Sequence, residues 1–304
     1  MKCPVCWAEF GTGAYEALAG HMHGEAERSD VNHVMWLNRN VTKTRTSREE
    51  LAVMLRRYMD VAGLGLVGWM KLRFVERFFG SRPHPFVVAL QHPSRATLLG
   101  YVLEHQHFLK QWVRSCAYIM AKTDREDVIL YELDNVNTEF GGYGPQRPSH
   151  YELLIRMGES LGLSREEILS TGPLPETQRA LEVWDRIGRE CHWVETMAAM
   201  HGLELIANRN LKNEVREATV GYFDPAILEA GSREITEEAK AFLREGYEAD
   251  VEHSEEALRL VDKYSHQLGL VEGVQAVFLS SIDTFSGYLM ARLQRAQQFE
   301  GRNC

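Results

Sequence analysis

The chain has 304 residues, 44% hydrophobic and 25% charged, which is enough for a large buried core or for two unequal domains of a globular protein. A formal net charge of −9 argues against the Lys- and Arg-driven grip on phosphate that non-specific nucleic-acid binding requires. No apolar run approaches the roughly 18 residues that span a bilayer, and the N-terminus lacks the basic-then-apolar order of a secretory signal, so a cytoplasmic protein without membrane partners is expected. Five cysteines (Cys3, Cys6, Cys116, Cys191, Cys304) are too few and too scattered for a disulfide framework.

Residues 1–40 read as a separate small module, with the remainder, 41–304, as a second domain. Cys3-Pro-Val-Cys6 is a two-cysteine knuckle, followed by Phe10, Leu18, His21, His23 and His33. That order resembles a C2H2 zinc finger, in which the Phe and Leu form a small core and two pairs of ligands close a tetrahedral site. The spacing is unusual, because fourteen residues separate Cys6 from His21. Cys3, Cys6, His21 and His33 are the expected zinc ligands, since His23 alternates too closely with His21 to share one ion with it. The plain alternative is a pair of free thiols at a frayed terminus. Acidic neighbours (Glu25, Glu27, Asp30) suit a docking or folding device better than a DNA reader.

Beyond the finger the chain reads as helices, with no sustained alternation of period two. Ser47-Arg-Glu-Glu50 is a capping box that opens one helix, and a second apolar segment runs from Val67 to Phe79, before Pro83 and Pro85. Long helices are expected over Ala96–Ala121, Arg125–Phe140 and Glu176–Asn208, with shorter ones opened by the boxes at Ser149 and Ser164. A last helix covers Val271–Gln298. The architecture is all-α.

The segment from Thr236 to Lys263 has a helical apolar stripe: Ala239, Phe242, Leu243, Gly246, Tyr247, Ala257, Leu258 and Val261. Asp250 and His253 fall in that same stripe. Burying a polar group without a partner costs on the order of 2–7 kcal/mol, so something must satisfy them: a metal ion, or Tyr and Arg side chains on a facing helix. Glu139, His150 and Glu204 are likewise polar residues where the pattern calls for apolar ones. Carboxylates and imidazoles on facing helices are how helical bundles hold iron or manganese.

From about Leu99 to Leu270 the sequence resembles the heme-oxygenase-like diiron oxidases and oxygenases, relatives in fold of the thiaminase and PQQ-synthesis proteins. Glu139 with His150 matches that family's Glu and His bracketing a helix junction, Glu204 lies fifty-four residues after His150, and Asp250-Val-Glu-His253 matches the end of a His-x3-Asp-x2-His motif. Gly246 stands where the first His of that motif belongs, which removes one ligand from one metal. Glu104 with His107, three apart on one helix, and His201, one turn before Glu204, are candidate replacements, although Glu104 and His107 read equally well as a surface pair. Tyr131, Tyr247, Trp112 and Met197 are candidate pocket walls.

The resemblance implies a heme-oxygenase-like helical bundle with an appended zinc module. It also implies a non-heme iron enzyme, with two metals or one and manganese as an alternative. Such an enzyme would use O2 and an external reductant on a small amine, amino-acid-like or fatty-acid-like substrate, and folds of this kind usually form homodimers. Two other readings stay open: a metal-free, thiaminase-like enzyme with Cys116 or Cys191 as nucleophile, and a zinc-finger adaptor on a retired bundle.

Overall fold

A computed structural model describes residues 1–144, 146–229 and 235–300, and within these every side chain except those of 248–253. Among the described residues the only β-structure is an isolated bridge between Lys2 and Glu9, and no helix is long and apolar enough to cross a membrane.

That bridge closes the cysteine knuckle. Cys3 N donates to Ala8 O at 2.9 Å and Trp7 N to Cys3 O at 3.0 Å, with Trp7 in the left-handed region (φ 63°) to make the turn. Three helices follow: α1 (Tyr15–Glu27), α2 (Val31–Asn40) and α3 (Arg48–Met59). Asp30 caps α2 by accepting from His33 N, and Ser47 caps α3 in a reciprocal box with Glu50. Helix α1 packs on α3, burying Leu18 and Met22 from one and Leu51 and Leu55 from the other.

Helices α4 (Gly65–Phe78) and α5 (Pro85–Gln91) lead into the bundle. Pro85 occupies the first turn of α5, where its missing N–H costs nothing. The bundle is built on α6 (Arg95–Met120) and α15 (Val271–Gln297). These two cross with backbones in contact at Gly100: a Cβ there would lie 2.7 Å from Ala296 N and closer still to Arg292 O, so only glycine allows the approach. Around the pair stand α7 (Glu126–Val136), α8 (His150–Ser160), α9 (Arg165–Ser170), α10 (Pro175–Glu190) and α11 (Trp193–His201). Two single turns, α12 (Leu211–Glu214) and α13 (Ala226–Glu229), precede α14 (Glu237–Leu268).

The helix expected over Glu176–Asn208 is three pieces. Cys191 is extended between α10 and α11, and Lys122 Nζ reaches across to the carbonyls of Gly188, Arg189 and Cys191 at 2.5–2.9 Å, satisfying the end of α10. His192 then caps α11. After His201 the coil tightens into a 3-10 turn, Gly202–Ile206. The helix expected over Arg125–Phe140 is α only to Val136 and widens into a π turn, Asn137–Gly141. Glu139 sits in the π turn and Glu204 in the 3-10 turn.

The N-terminal module rests on the bundle through Lys2–Glu195 at 2.7 Å, Gly13 N donating to Glu272 at 3.0 Å, and Arg39–Asp283 at 3.0 Å.

Candidate functional site

Irregular helix segments gather the polar residues around a cavity of about 80 Å³. After the π turn the chain reverses at Gly142 (φ 74°), where a Cβ would stand 3.0 Å from Ser149 N, and Ser149 caps α8 by accepting from Glu152 N. The reversal brings His150, first residue of α8, against Glu139, with Nδ1 2.9 Å from Oε1. Both are less than a tenth exposed, and both line the cavity.

Glu204 lines it too, its Oε1 lying 3.3 Å from His201 Nδ1 while its buried Oε2 has no partner among the described residues. His201 is fully buried, and its Nε2 donates to Glu132 at 2.9 Å. Burial opposes charge on this ring, but the Glu132 carboxylate, through charge and hydrogen bonding, and Glu204 outweigh it and push the pKa up to about 10. The result is an imidazolium held between two carboxylates, edge-on to Trp112 at 4.9 Å between centroids.

Cys116 stands beside Glu132 and His201, their ligand atoms within 4.8 Å of one another. It does not line the cavity, and burial followed by the Glu132 charge pushes its thiol well above the ordinary value, as for an inert core thiol. Cys191 is also raised by burial, to about 11.

Glu104 and His107 do share one face of α6, but that face does not meet the cavity. The Glu104 carboxylate binds Arg295 Nε at 2.6 Å and accepts from Leu174 N at 3.1 Å, at the start of α10. Glu104 is thus an internal ion partner of the last helix, and neither it nor His107 lines the cavity. His105, which has no acid on its own helix face, lines the cavity instead, and of the four wall candidates Trp112 and Tyr247 line it while Met197 and Tyr131 do not.

Helix α14 contributes Phe242, Leu243, Gly246 and Tyr247 to the wall, so the position where the resemblance expects a His presents no side chain. The side chains of Asp250 and His253, farther along α14, lie outside the described residues.

At the N-terminus, one ligand atom from each of Cys3, Cys6, His21 and His33 falls within 4.8 Å of the others. Cys6 Sγ is 3.2 Å from His21 Nε2 and Cys3 Sγ 3.6 Å from His33 Nε2. The two histidines come from two helices, α1 and α2, which accounts for their wide spacing, and His23 turns to Glu27 at 3.4 Å. Asp30 Oδ1 holds His33 Nδ1 at 2.6 Å and thereby presents Nε2 towards the thiols, the usual support for a metal-bound imidazole.

The fold and site define an all-helical protein with a cavity walled by carboxylates, imidazoles and aromatic rings, carrying a cysteine–histidine cluster at its N-terminus. The chain belongs to the TENA/THI-4/PQQC family, whose model matches residues 69–296. A C2H2-type zinc-finger model matches residues 2–60, a span that takes in α3 as well as the ligands. Among solved structures, a domain of unknown function with a heme oxygenase-like fold from Shewanella denitrificans is 18% identical, with TM-score 0.56, covering 77% of this chain and 92% of that one. A TenA family transcription regulator from Silicibacter is 15% identical, with TM-score 0.53, covering 76% of this chain and 97% of its own. A TenA homolog from Pseudomonas syringae pv. tomato is 15% identical, with TM-score 0.54, covering 80% and 92%. These likenesses establish a heme-oxygenase-like fold. A search of curated proteins returns no relative of this chain.

Proposed function

We propose that this chain is a non-heme iron oxidase or oxygenase of small molecules that holds one metal at the cavity rather than two. Glu139, His150 and Glu204 are the ligands contributed by the cavity wall, with Asp250 and His253 assigned by the family resemblance. The supporting observation is the Glu204 carboxylate, whose buried Oε2 has no partner among the described residues in a cavity that Glu139 and His150 also line. A buried carboxylate oxygen left without a hydrogen bond is costly even with His201 on its other oxygen, and a metal ion would relieve that directly. Oxygen and imidazole donors without a thiolate suit iron or manganese. Among the described residues Gly246 offers a second metal no side chain, and Glu104 is committed to Arg295.

When bound, the metal supplies an open, redox-active position for O2, with electrons from an external reductant. The protein does the rest. His201 fixes the Glu204 carboxylate from behind, Glu132 fixes His201, and aromatic rings line much of the cavity. The N-terminal module holds a structural zinc through Cys3, Cys6, His21 and His33.

Metal content of the full chain, purified from cells supplied with iron and zinc, tests this reading. Zinc should vanish in the Cys3→Ala/Cys6→Ala variant, and iron should vanish in Glu204→Ala with zinc retained. O2 consumption should follow iron. Iron that is absent from the wild type, or bound equally by Glu204→Ala, refutes the reading.

A further inference from the structure

The last helix places in the cavity wall a guanidinium that none of the chemistry above uses. Arg292 is 1% exposed. Its Nη1 donates to the Tyr222 hydroxyl at 3.0 Å, and its Nη2 to the Tyr288 hydroxyl and to His105 Nδ1, both at 2.8 Å. The rings of Tyr101, Tyr288 and Phe86 surround it, with centroids 4.1, 4.6 and 5.0 Å from the guanidinium carbon.

None of these neighbours carries a negative charge. Burial pushes the Tyr101 and Tyr288 phenols further up, and burial followed by Arg292 itself holds His105 well below the ordinary histidine value, so that ring is a neutral acceptor. Among the described residues no Asp or Glu oxygen comes within 4.0 Å of Arg292. The same helix shows what a paired arginine looks like: Arg295, three residues on, meets Glu104 at 2.6 Å. Glu139 and Glu204, which share the cavity with Arg292, are turned to His150 and His201.

A buried charge without a counter-ion is costly, and aromatic faces return only part of that cost. Arg292 still has a donor to spend: Nη1 has used one of its two hydrogens on a phenol, while the Nε–H, itself enclosed, has no partner among the described residues. One oxygen of a carboxylate, accepting from the free Nη1–H, would supply the missing charge. Apart from His105, Glu139, His150 and Glu204, the wall is mainly apolar and aromatic (Phe108, Trp112, Phe242, Phe285).

We propose that Arg292, supported by His105 and Tyr222, is the carboxylate-binding subsite of the cavity, and that the substrate is a monocarboxylic acid with a compact apolar body. Amino acids and short fatty acids share this chemistry. The inference rests on the reading of the cavity as the substrate site of an oxidase, but the binding step itself needs no metal.

The test is calorimetric titration of the full chain as purified, using hexanoate, L-phenylalanine and 3-phenylpropanoate against hexanamide and 3-phenylpropanamide. The acids should bind about ten- to a hundredfold more tightly than their amides, the difference made by a charge-assisted hydrogen-bonded pair. Arg292→Gln should bring the acids down to the level of the amides, with circular dichroism confirming its fold. If that variant does not fold, the acid-against-amide comparison on the wild type decides. Preference for L-phenylalanine over 3-phenylpropanoate identifies the amino-acid source, and the reverse with hexanoate identifies the fatty-acid source. Amides that bind as tightly as acids, no binding of any acid, or a folded Arg292→Gln that keeps its affinity overturns the proposal. Metal content measured on the same samples separates the two claims. Acid binding by protein without iron refutes the metal reading alone, whereas iron without acid binding refutes the subsite alone.

Discussion

Replacing His201 with leucine tests whether the buried Glu132–His201–Glu204 chain is held by charge. Both Glu132 and His201 are 0% exposed, so the leucine leaves Glu132 in the core without its cation and Glu204 without its hydrogen bond. Breaking a buried ion pair by removing one partner costs about 3–5 kcal/mol. For 304 residues, at about 2.1 cal/mol/K of unfolding entropy per residue, that corresponds to a Tm lower by about 5–8 °C. The double variant His201→Leu/Glu132→Leu should recover part of the loss, because the stranded charge goes with it. The sign with pH follows from the shift. His201 has a folded-state pKa of about 10 against an ordinary 6.5, so protonation favours the folded chain. Its contribution is complete below about pH 6.5 and disappears as pH rises through 10. Thermal melts at matched metal content should therefore show the gap between wild type and His201→Leu narrowing from pH 7 to pH 10. A gap that stays flat, or a double variant no better than the single, would show that His201 contributes packing and not charge.

The N-terminal site and the central helix crossing are tested by single changes. Asp30→Asn should weaken zinc affinity about 10–100-fold, read by competition with a chromogenic chelator, because the carboxylate that orients His33 is lost while all four ligands remain. Gly100→Ala should destabilise by about 1–3 kcal/mol or more in urea unfolding, since its Cβ would press on backbone atoms of α15, which cannot rotate aside as a side chain can. The same substitution should displace Arg292 and weaken hexanoate binding.

Helix starts were legible wherever the signal is local. The boxes at Ser47 and Ser164 and the cap at Ser149 involve residues three apart, and each opens a helix where the pattern predicts. Helix breaks made by distant partners were not. The interruption at Cys191 depends on Lys122, sixty-nine residues earlier, and on an imidazole acting as cap. Glu104 looked available for a metal because its partner, Arg295, lies 191 residues away on the last helix. Glu139, His150 and Glu204 stood out as polar residues in apolar rows, and the fold brings all three to one cavity. Glu132 was hidden because a carboxylate on an amphipathic helix ordinarily faces water, and only its pairing with His201 explains its burial. Arg292 did carry a signal. It stands four residues after Tyr288, seven after Phe285 and four before Ala296, all buried, so it interrupts an apolar row as plainly as Asp250 does.

The widened turn at 137–141 has a genetic consequence. A π turn holds one more residue than the α turn it replaces, and one residue of α-helix is a rotation of about 100°. Deleting a single codon within it, ahead of Glu139, would let the helix run on as ordinary α and swing the acid away from His150, with the chain still folded and its composition nearly unchanged. Conversely, when this chain is aligned with a relative whose helix is uninterrupted, the one-residue gap belongs inside 137–141. Placed elsewhere, it would hand the role of Glu139 to Thr138 or Phe140, neither of which can carry the charge.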